Sequence, residues 1–513
     1  KREVLGKKHP DTLTSMNNLA ADYKYLGRYQ DTMELDRQTL ALEKEVLGKK
    51  HPDTLTSMAN LAVDYSLLGR YQDAIALNEQ TMALRKEILG EKHPNTLKSM
   101  ANLAAEYSAA GRYQKALELG EQTLALRKEV LGEKHPDTLG SINNLATDYQ
   151  KAGTPEKSLP LYREMIQGYE MQRSDYGSLT KETRQVWFST VVPYYKNALR
   201  CFIRQGQAEE AFHTAELCKA RSLMEQYAER LADNSEILDD EELQQLNGYR
   251  RQLAAYNTQI AEAMLKGNTT AQQNLTAERD KLGSEYQEYR RKLQENYPKY
   301  KELSEPEIVD WQQGQEILPE NTVFLDFLQH GDFIEAFVLS REKGLQAFDL
   351  TMPKDLASGC SVYHNLISYK GPGEMNSRDD KHLWRMADGT YAVTQGGEQP
   401  ANHAGEVTDF QEYQRIRRTL AENLGKALLE PHTAYLPSGA NWLISPDGDL
   451  DAIPFETLIY QGKPAIETAD ISYIQSLSVL RLLQKRQKQN AGLNGRKELF
   501  AMGDAIYGDY SDE

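Results

Sequence analysis

Thiols and imidazoles lie close together at two places in the sequence. Cys360 and His364 are four residues apart, and His213 and Cys218 are five apart. An imidazole that deprotonates a neighbouring thiol is the arrangement that a cysteine nucleophile requires. If the first pair is helical, both side chains can share one face. The second pair lies in a helical apolar pattern, for which we expect ordinary core packing.

Four other histidines, each followed by proline, recur every 42 residues. They are His9, His51, His93 and His135. Zinc ligands all lie within about 2.3 Å of one ion, whereas stacked repeats hold equivalent positions about 10 Å apart. The spacing therefore predicts no metal site and no cofactor. A proline just inside a helix, with Asp or Asn beside it, indicates instead that these histidines stand at helix entries.

A group of carboxylates follows the apolar run 441–445. Its members are Asp447, Asp449, Asp451 and Glu456. Four acidic side chains within ten residues could line a cleft that recognises a basic substrate side chain. Pro-Asp-Gly is also a turn signature, so Asp447 and Asp449 could serve the turn alone. Both interpretations remain open from the sequence.

The histidine repeats belong to a larger pattern that predicts the elements of the first part of the chain. The phrase Leu-Gly-x-Lys-His-Pro-x-Thr-Leu occurs four times, and in every unit an asparagine precedes Leu-Ala and a glycine follows nine residues later. Apolar residues at three-to-four spacing predict two helices per unit, the first ending at the glycine. One helix pair cannot bury its apolar face alone, so the units must stack into a solenoid.

Helices are predicted to continue beyond the repeats. We place the solenoid at 1–170, further repeat-like helices at 171–240 and a helical hairpin at 241–304. In the hairpin, apolar residues step by three and four on both sides of the turn Lys266-Gly267-Asn268-Thr269, which favours two arms folded against each other.

The sequence pattern changes from helical periodicity to short apolar runs at about residue 305. Short apolar runs at 322–328, 333–339, 345–350, 441–445, 471–474 and 499–502 predict strands, and apolar periodicity at 413–428 and 479–487 predicts helices. Strands that alternate with helices indicate an α/β sheet. Residues 366–406 are polar and Gly-rich; they either flank a cleft or form a floppy insertion.

The 42-residue unit resembles the tetratricopeptide repeats (TPRs) of the kinesin light chain type. The resemblance rests on Asn17–Tyr23, on Leu26–Tyr29 and Leu68–Tyr71, and on Leu47–Leu55. In that family the concave face grips extended peptides through first-helix residues that include the asparagine. The resemblance therefore implies a protein or peptide partner in the groove; the implied contact residues are Asn18, Asn60, Asn102 and Asn144. Alternatively, these asparagines are solvated or bonded within the solenoid.

The last part of the chain resembles the first half of a CHAT domain, the caspase-like fold shared with separases. Asn441–Tyr460, Ile471–Arg486 and Leu499–Gly508 carry the resemblance. The fold class implied is multidomain: an all-α TPR superhelix with a helical hairpin, then an incomplete α/β caspase-like (CHAT) domain over 305–513.

The resemblance also sets expectations for catalysis. The family's His/Cys dyad lies downstream of the position of Leu499–Gly508, so no catalytic residue carries over, and Cys360 and His364 are expected to be structural or surface residues. An incomplete domain would leave the strand at 499–502 with an unpaired edge, and the remaining half could be a separate chain.

The composition of the chain argues against several classes of function. The formal net charge of −16 argues against general nucleic-acid or anionic-membrane binding, and no apolar stretch is long enough for a transmembrane helix. Three cysteines, too few for a disulfide framework, favour a reducing compartment and hence the cytoplasm. The sequence favours a TPR-regulated cysteine peptidase, of which this chain alone lacks the dyad; the alternative is a scaffold with a degenerate CHAT domain.

Overall fold

A computed structural model describes residues 6–175, 181–233, 237–265, 269–304, 308–331, 333–351, 356–367, 381–395 and 399–490. The chain divides into two compact units, Lys1–Tyr176 and Gly177–Glu513. No helix among these described residues is long and apolar enough to cross a membrane. Each unit is described by itself below.

The first unit consists of four helix pairs in chain order, as the repeats predict. The helices are α1 (Pro10–Tyr25), α2 (Tyr29–Val46), α3 (Pro52–Leu67), α4 (Tyr71–Leu89), α5 (Pro94–Ala109), α6 (Tyr113–Leu131), α7 (Pro136–Lys151) and α8 (Ser158–Asp175). Each helix packs against the next, within a repeat and between repeats. Apolar side chains such as Leu40, Leu55 and Met58 fill the space between the first two pairs.

Local chemistry sets the ends of the first helix in each repeat. His9 is the N-cap of α1, and its Nδ1 accepts a hydrogen bond from the backbone N–H of Asp11 at 3.2 Å. The same bond recurs at His51, His93 and His135. Gly27 ends the repeat's first helix with φ near +70°, a left-handed conformation that glycine adopts without strain. The predicted helix-entry role of the histidines is confirmed.

Small side chains allow the two helices of a repeat to approach closely. One position near the start of the second helix of each repeat is occupied by Thr32, Ala74, Ala116 and Ser158, and all four are fully buried. Because a larger side chain there would push the helices apart, the unit depends on small residues at this position.

A layer of buried polar side chains runs between consecutive repeats. In the first interface Asp36 of α2 and Asp64 of α3 are both buried, and Lys24 Nζ lies 2.6 Å from the carboxylate of Asp64. In the third, Ser108 donates a hydrogen bond to the buried Asp148. The solenoid interior is therefore not uniformly apolar.

The second unit begins with helices. They are α9 (Lys181–Arg204), α10 (Ala208–Asp233), α11 (Asp240–Leu265), α12 (Thr269–Asn296), α13 (Pro298–Ser304) and α14 (Trp311–Ile317). The pair α11–α12 is the predicted hairpin, and its seam contains Leu246, Leu253, Tyr286 and Leu293. The helical interpretation of 241–297 is confirmed.

A five-stranded sheet lies at the centre of this unit. Its strands, in the order in which they pair, are β10 (Ile471–Tyr473), β7 (Asn441–Ser445), β1 (Thr322–His330), β2 (Phe333–Ser340) and β3 (Gly344–Thr351). Strands β1, β7 and β10 are parallel, whereas β1–β2 and β2–β3 are antiparallel. The carboxyl ends of the three parallel strands therefore meet at one edge, where α/β folds usually place their sites.

Two helices and several short turns cover the sheet. The two helices that pack on the sheet are α15 (Leu356–Ile367) and α16 (Phe410–Leu428). A third helix, α17 (Leu477–Asn490), follows β10. Trp442, Ile444, Leu325 and Phe327 of the sheet are buried in one core with Leu424 of α16. The predicted strand at 499–502 lies outside the described residues.

The region predicted to be a polar insertion contains a second sheet. Its strands are β4 (Lys381–Met386), β5 (Tyr391–Gln395) and β6 (His403–Glu406), with β4 in the middle. Leu383 is buried with Val362 of α15 and Tyr413 of α16. The described part of 366–406 is thus a folded element, and the alternative of a floppy insertion is wrong there.

Candidate functional sites

The four repeated asparagines occupy equivalent places on the first helices of the solenoid. Asn18, Asn60 and Asn144 are exposed, and Asn102 is half-buried. The amide of Asn144 accepts a hydrogen bond from Asn143 at 3.3 Å. These side chains therefore remain accessible to a partner, and each amide offers both donors and an acceptor to a peptide main chain.

One turn after each asparagine, a position on the same helix face holds a small or uncharged side chain. Three residues after each asparagine come Ala21, Val63, Ala105 and Thr147, of which the first three are exposed. This face consequently combines amides with short side chains, a surface on which an extended backbone can lie close to the helices.

At the sheet edge formed by the parallel strands, two of the predicted acidic residues are held by the protein itself. Asp447 Oδ2 lies 2.5 Å from Lys196 Nζ of α9 and accepts a hydrogen bond from the backbone N–H of Gln329 at 3.0 Å. Asp449 Oδ2 accepts from Gln329 Nε2 at 2.9 Å, and its N–H donates to Gln329 Oε1 at 2.7 Å. Both carboxylates thus fasten the β7 turn to the end of β1.

The other two acidic residues differ from this pair. Asp451 is exposed. Glu456 is half-buried and accepts a hydrogen bond from the phenol of Tyr473, whose oxygen also accepts from the N–H of Phe455 at 2.8 Å. Among the four, Asp451 is the residue best placed to meet a substrate, and its specificity role stays a prediction.

A buried lysine joins the ends of two parallel strands. Lys219 of α10 lies 2.5 Å from Asp326 Oδ1 of β1, and the side chains are 7% and 1% exposed. The same ammonium donates to Ser445 Oγ at 2.7 Å, to Ser445 O at 2.8 Å and to Pro446 O at 2.9 Å. Because a buried charge is tolerated only when paired and hydrogen-bonded, Lys219 fixes the relative position of β1 and β7.

One turn earlier on the same helix, Glu216 fixes α17. Its carboxylate is fully buried and accepts the backbone N–H groups of Leu477 and Ser478, each at 2.9 Å, and the Ser478 hydroxyl at 2.5 Å. Burial, and the nearby Asp326, raise the pKa of Glu216 to about 7. Helix α10 therefore holds three elements at this edge of the sheet.

Sequence reasoning did not single out Lys219 and Glu216. Both lie in the region 171–240 predicted as further repeat-like helices, and a Glu and a Lys three residues apart share one helix face. That spacing could have marked a charged face. Their partners, however, lie 107 to 262 residues away in the chain.

The three thiols lie in buried or partly buried positions, which disfavour the reactive thiolate. Cys201 and Cys360 are buried and Cys218 is partly buried. Burial raises the pKa of Cys360 to about 12, and it raises the pKa of Cys218 as well. Cys360 lies in the sheet core, whereas the exposed His364 bonds through Nδ1 with Ala452 O at 2.8 Å. The buried thiol and the exposed imidazole are placed as a structural or surface role for Cys360 and His364 would require.

The described residues offer no group of three or more His, Cys, Asp or Glu side chains that could hold a metal ion. The repeated histidines each use Nδ1 to cap their own helix.

Protein-family models match parts of both units. A tetratricopeptide repeat model matches residues 11–87, 67–129 and 107–171, and the CHAT domain model matches residues 418–507. The chain thus contains tetratricopeptide repeats and a segment that matches the CHAT domain. The CHAT match begins within α16 and includes β7 and β10, while β1–β3 of the same sheet precede it.

Solved structures resemble the TPR part. Two crystal structures of a kinesin-light-chain-like protein from Podosopora anserina with nearly identical TPR-like repeats, one of them a single-residue variant, are 30% and 31% identical. Each alignment covers 41% of this chain and 94% of the other, with a TM-score of 0.35. BtubC (BKLC) from P. vanneervenii is 20% identical over 32% of this chain and 66% of the other, with a TM-score of 0.30. A search of proteins with curated function gives no match.

Proposed function

We propose that the solenoid binds an extended segment of a protein partner and thereby regulates a caspase-like cysteine peptidase formed by the CHAT domain. The observation that carries the binding half is the accessible row of asparagines, one per repeat, at equivalent positions. Main-chain amides of an extended peptide need paired donors and acceptors, which these side chains supply.

The binding half is tested with peptides selected from a random displayed library on the purified chain. We expect Asn60→Ala combined with Asn102→Ala to weaken binding of a selected peptide by roughly 1–3 kcal/mol per lost buried bond. Gln114→Ala is the matched control, because this exposed amide lies on the second helix of its repeat and bonds to Glu118. Equal affinities for all three proteins, with circular dichroism unchanged, would contradict the asparagine contact.

The CHAT match supports the peptidase half, as does the sheet edge at which β1, β7 and β10 end, where α/β folds usually place their sites. The sequence contains three cysteines, and the buried thiols of Cys201 and Cys360 and the raised pKa of Cys218 make each a poor nucleophile. We therefore expect the 513 residues alone to cleave no peptide library in a thiol-dependent way, and the product of the whole reading frame to do so once a solenoid ligand is added. Cleavage by the 513 residues that Cys360→Ala abolishes would overturn this assignment.

A second candidate is a non-catalytic interaction scaffold. The specific observation in its favour is that burial raises the pKa of both Cys218 and Cys360, which disfavours the thiolate that a cysteine nucleophile requires. If the product of the whole reading frame binds the selected peptide but shows no alkylation-sensitive cleavage with or without it, the scaffold is the better description.

A further inference from the structure

An open cavity of about 430 Å³ lies beside the turn between β1 and β2. It is lined by Phe188, Ser189, Val192, Pro193, Lys196, Gln329, His330 and Gly331. The volume falls within the range of small-molecule sites, roughly 300–1,000 Å³. All lining residues belong to the second unit, and the Asn and acidic residues discussed above for partner and substrate do not line it.

One wall of the cavity is a stripe along helix α9. Phe188, Val192 and Lys196 are spaced by four residues and therefore share one face of the helix. The apolar part comes first and the ammonium last, over a length of about 12 Å at 1.5 Å per residue. An occupant that matches this wall is elongated, apolar for most of its length and polar at the end near Lys196.

Unused hydrogen-bonding capacity lies at that polar end. Within the described part of the chain, the buried Nδ1 of His330 has no hydrogen-bond partner. Lys196 has three N–H donors, and the recorded acceptors are Gln329 O and Asp447 Oδ2, each at 2.5 Å. A buried polar atom without a partner is unfavourable, so a ligand atom that meets these groups would stabilise the site.

The charge around His330 favours an anion. Burial, and then the cations Lys196 and Arg200, lower the pKa of His330, so two positively charged side chains act on the ring. Two carboxylates near these cations are held in ion pairs: Asp447 with Lys196, and Asp349 with Arg204 at 2.6 Å.

We propose that this cavity is a binding site for a small apolar monocarboxylate, whose chain lies along Phe188 and Val192 and whose carboxylate meets Lys196 and His330. Because Lys196 also holds Asp447 at the end of β7, an occupied site would contact the same lysine that fastens the sheet edge. The site does not depend on the proposed solenoid function.

Octanoate is the probe, because its chain is about as long as the apolar stripe, and 1-octanol is its uncharged counterpart. Binding to the full chain is measured by saturation-transfer NMR and by the ring resonances of the histidines. We expect octanoate to bind and to shift the His330 resonance, and octanol to bind at least about tenfold more weakly, a difference of roughly 1.4 kcal/mol.

Two variants of α9 locate the site. Val192→Trp fills the cavity and should weaken octanoate at least about tenfold, whereas Val186→Trp, at a position that is 65% exposed and does not line the cavity, should leave it unchanged. His330→Ala, which removes no core packing on α9, should weaken it about fivefold and serves if Val192→Trp does not fold. Absence of binding, equal binding of octanol, or a Val192→Trp protein that binds like the parent would each overturn the proposal.

Discussion

Asp36 and Asp64 face each other between the first two repeats, where water cannot solvate two carboxylates. Burial, and then the neighbouring Asp64, raise the pKa of Asp36 to about 7, although Lys24 opposes the shift. An acid whose pKa is higher in the folded than in the unfolded chain stabilises the fold at pH below its unfolded value, near 3.9. That contribution is lost as the pH rises through about 7.

We predict that Asp36→Asn raises the free energy of unfolding of the solenoid at pH 8 relative to the parent, since the variant needs no charged group in this layer. The gain should shrink towards pH 4, because one unit of pKa shift is worth about 1.4 kcal/mol. Thermal melts of both proteins at pH 4, 6 and 8 measure it. Asp31→Asn, which removes an exposed carboxylate of the same helix, should change stability by less than about 1 kcal/mol. A pH-independent difference for Asp36→Asn would contradict the raised pKa.

His432 is a second buried titratable residue, and its pKa is shifted in the opposite direction to that of Asp36. Its ring is fully buried beside Phe327 and Phe348, and neither ring nitrogen has a partner within the described structure. Burial lowers its pKa to about 4. A histidine with a lowered pKa contributes stability above its unfolded value, near 6.5, and this stability is lost as the pH falls towards about 4.

We therefore predict that His432→Leu makes the second unit less sensitive to acid. Urea unfolding at pH 7.5 and pH 5 should show a smaller loss of stability on acidification for the variant than for the parent, by about 1 kcal/mol or more. The result at pH 7.5 is the internal control, because the parent imidazole is neutral there in both states. Identical acid losses would mean that the ring is accessible to protons in the folded protein.

At the scale of elements, the backbone of α16 packs directly against the backbone of β8 (Ile459–Tyr460) at Gly425. A Cβ added to Gly425 of α16 would lie 1.9 Å from the carbonyl oxygen of Ile459. That atom belongs to the main chain and cannot swing aside, so the helix must be displaced.

We predict that Gly425→Ala destabilises the second unit by about 2–4 kcal/mol, the range of severe core disruption. Gly248→Ala is the matched control: Gly248 is helical, in α11, and an added Cβ would meet nothing within 4 Å. There the substitution should stabilise by up to about 1 kcal/mol, as helix propensity dictates. Chemical denaturation of the three proteins tests both signs, and a neutral Gly425→Ala would show that α16 has room to move.

The elements that the sequence predicted well are those specified by neighbouring residues. His93 caps its own helix two residues on, and Pro94 starts it, so the repeat phrase suffices to place both. The apolar runs that became β1 and β2 are neighbours in sequence, since β1 ends at His330 and β2 begins at Phe333, and their pairing needed no distant information. Strand β4 was missed because Lys381–Met386 mixes charged and apolar residues, and it is stabilised by α15 and α16, which are distant in sequence. The sequence also could not show that Asp447 and Asp449 fasten the β7 turn to β1, since both bond to Gln329, which is 118 and 120 residues away.

At the scale of the whole molecule, the two units should respond separately to damage. Lys219→Met removes one partner of a buried ion pair and leaves Asp326 uncompensated, which typically costs 3–5 kcal/mol, about half the stability of a domain. Repeats of a solenoid depend on their neighbours alone. We therefore predict faster hydrogen exchange at the ends of β1 and β7 and at the start of α17, with residues 44–150 unchanged.

Mass spectrometry of peptides after deuterium labelling measures this effect. Lys292→Met is the control, because its ion pair with Glu288 is exposed and should be worth less than about 1 kcal/mol. Faster exchange throughout both units in Lys219→Met would show that they unfold together, contrary to the expected independence.

The buried polar layer also bears on how a repeat array of this kind can change its length. The surface landmarks are interchangeable: Lys50 pairs with Glu87 as Lys92 pairs with Glu129, so excising one 42-residue period from the gene would rejoin matching exteriors. The interiors do not match. Asp64 meets Lys24, whereas Asp148 meets Ser108, and losing the second repeat would put the longer side chain of Glu106 in the buried place that Asp64 occupies beside Asp36. Recombination between these similar units therefore joins matching surfaces but mismatched buried side chains, which lowers stability. The buried layer thus favours the existing order of the repeats.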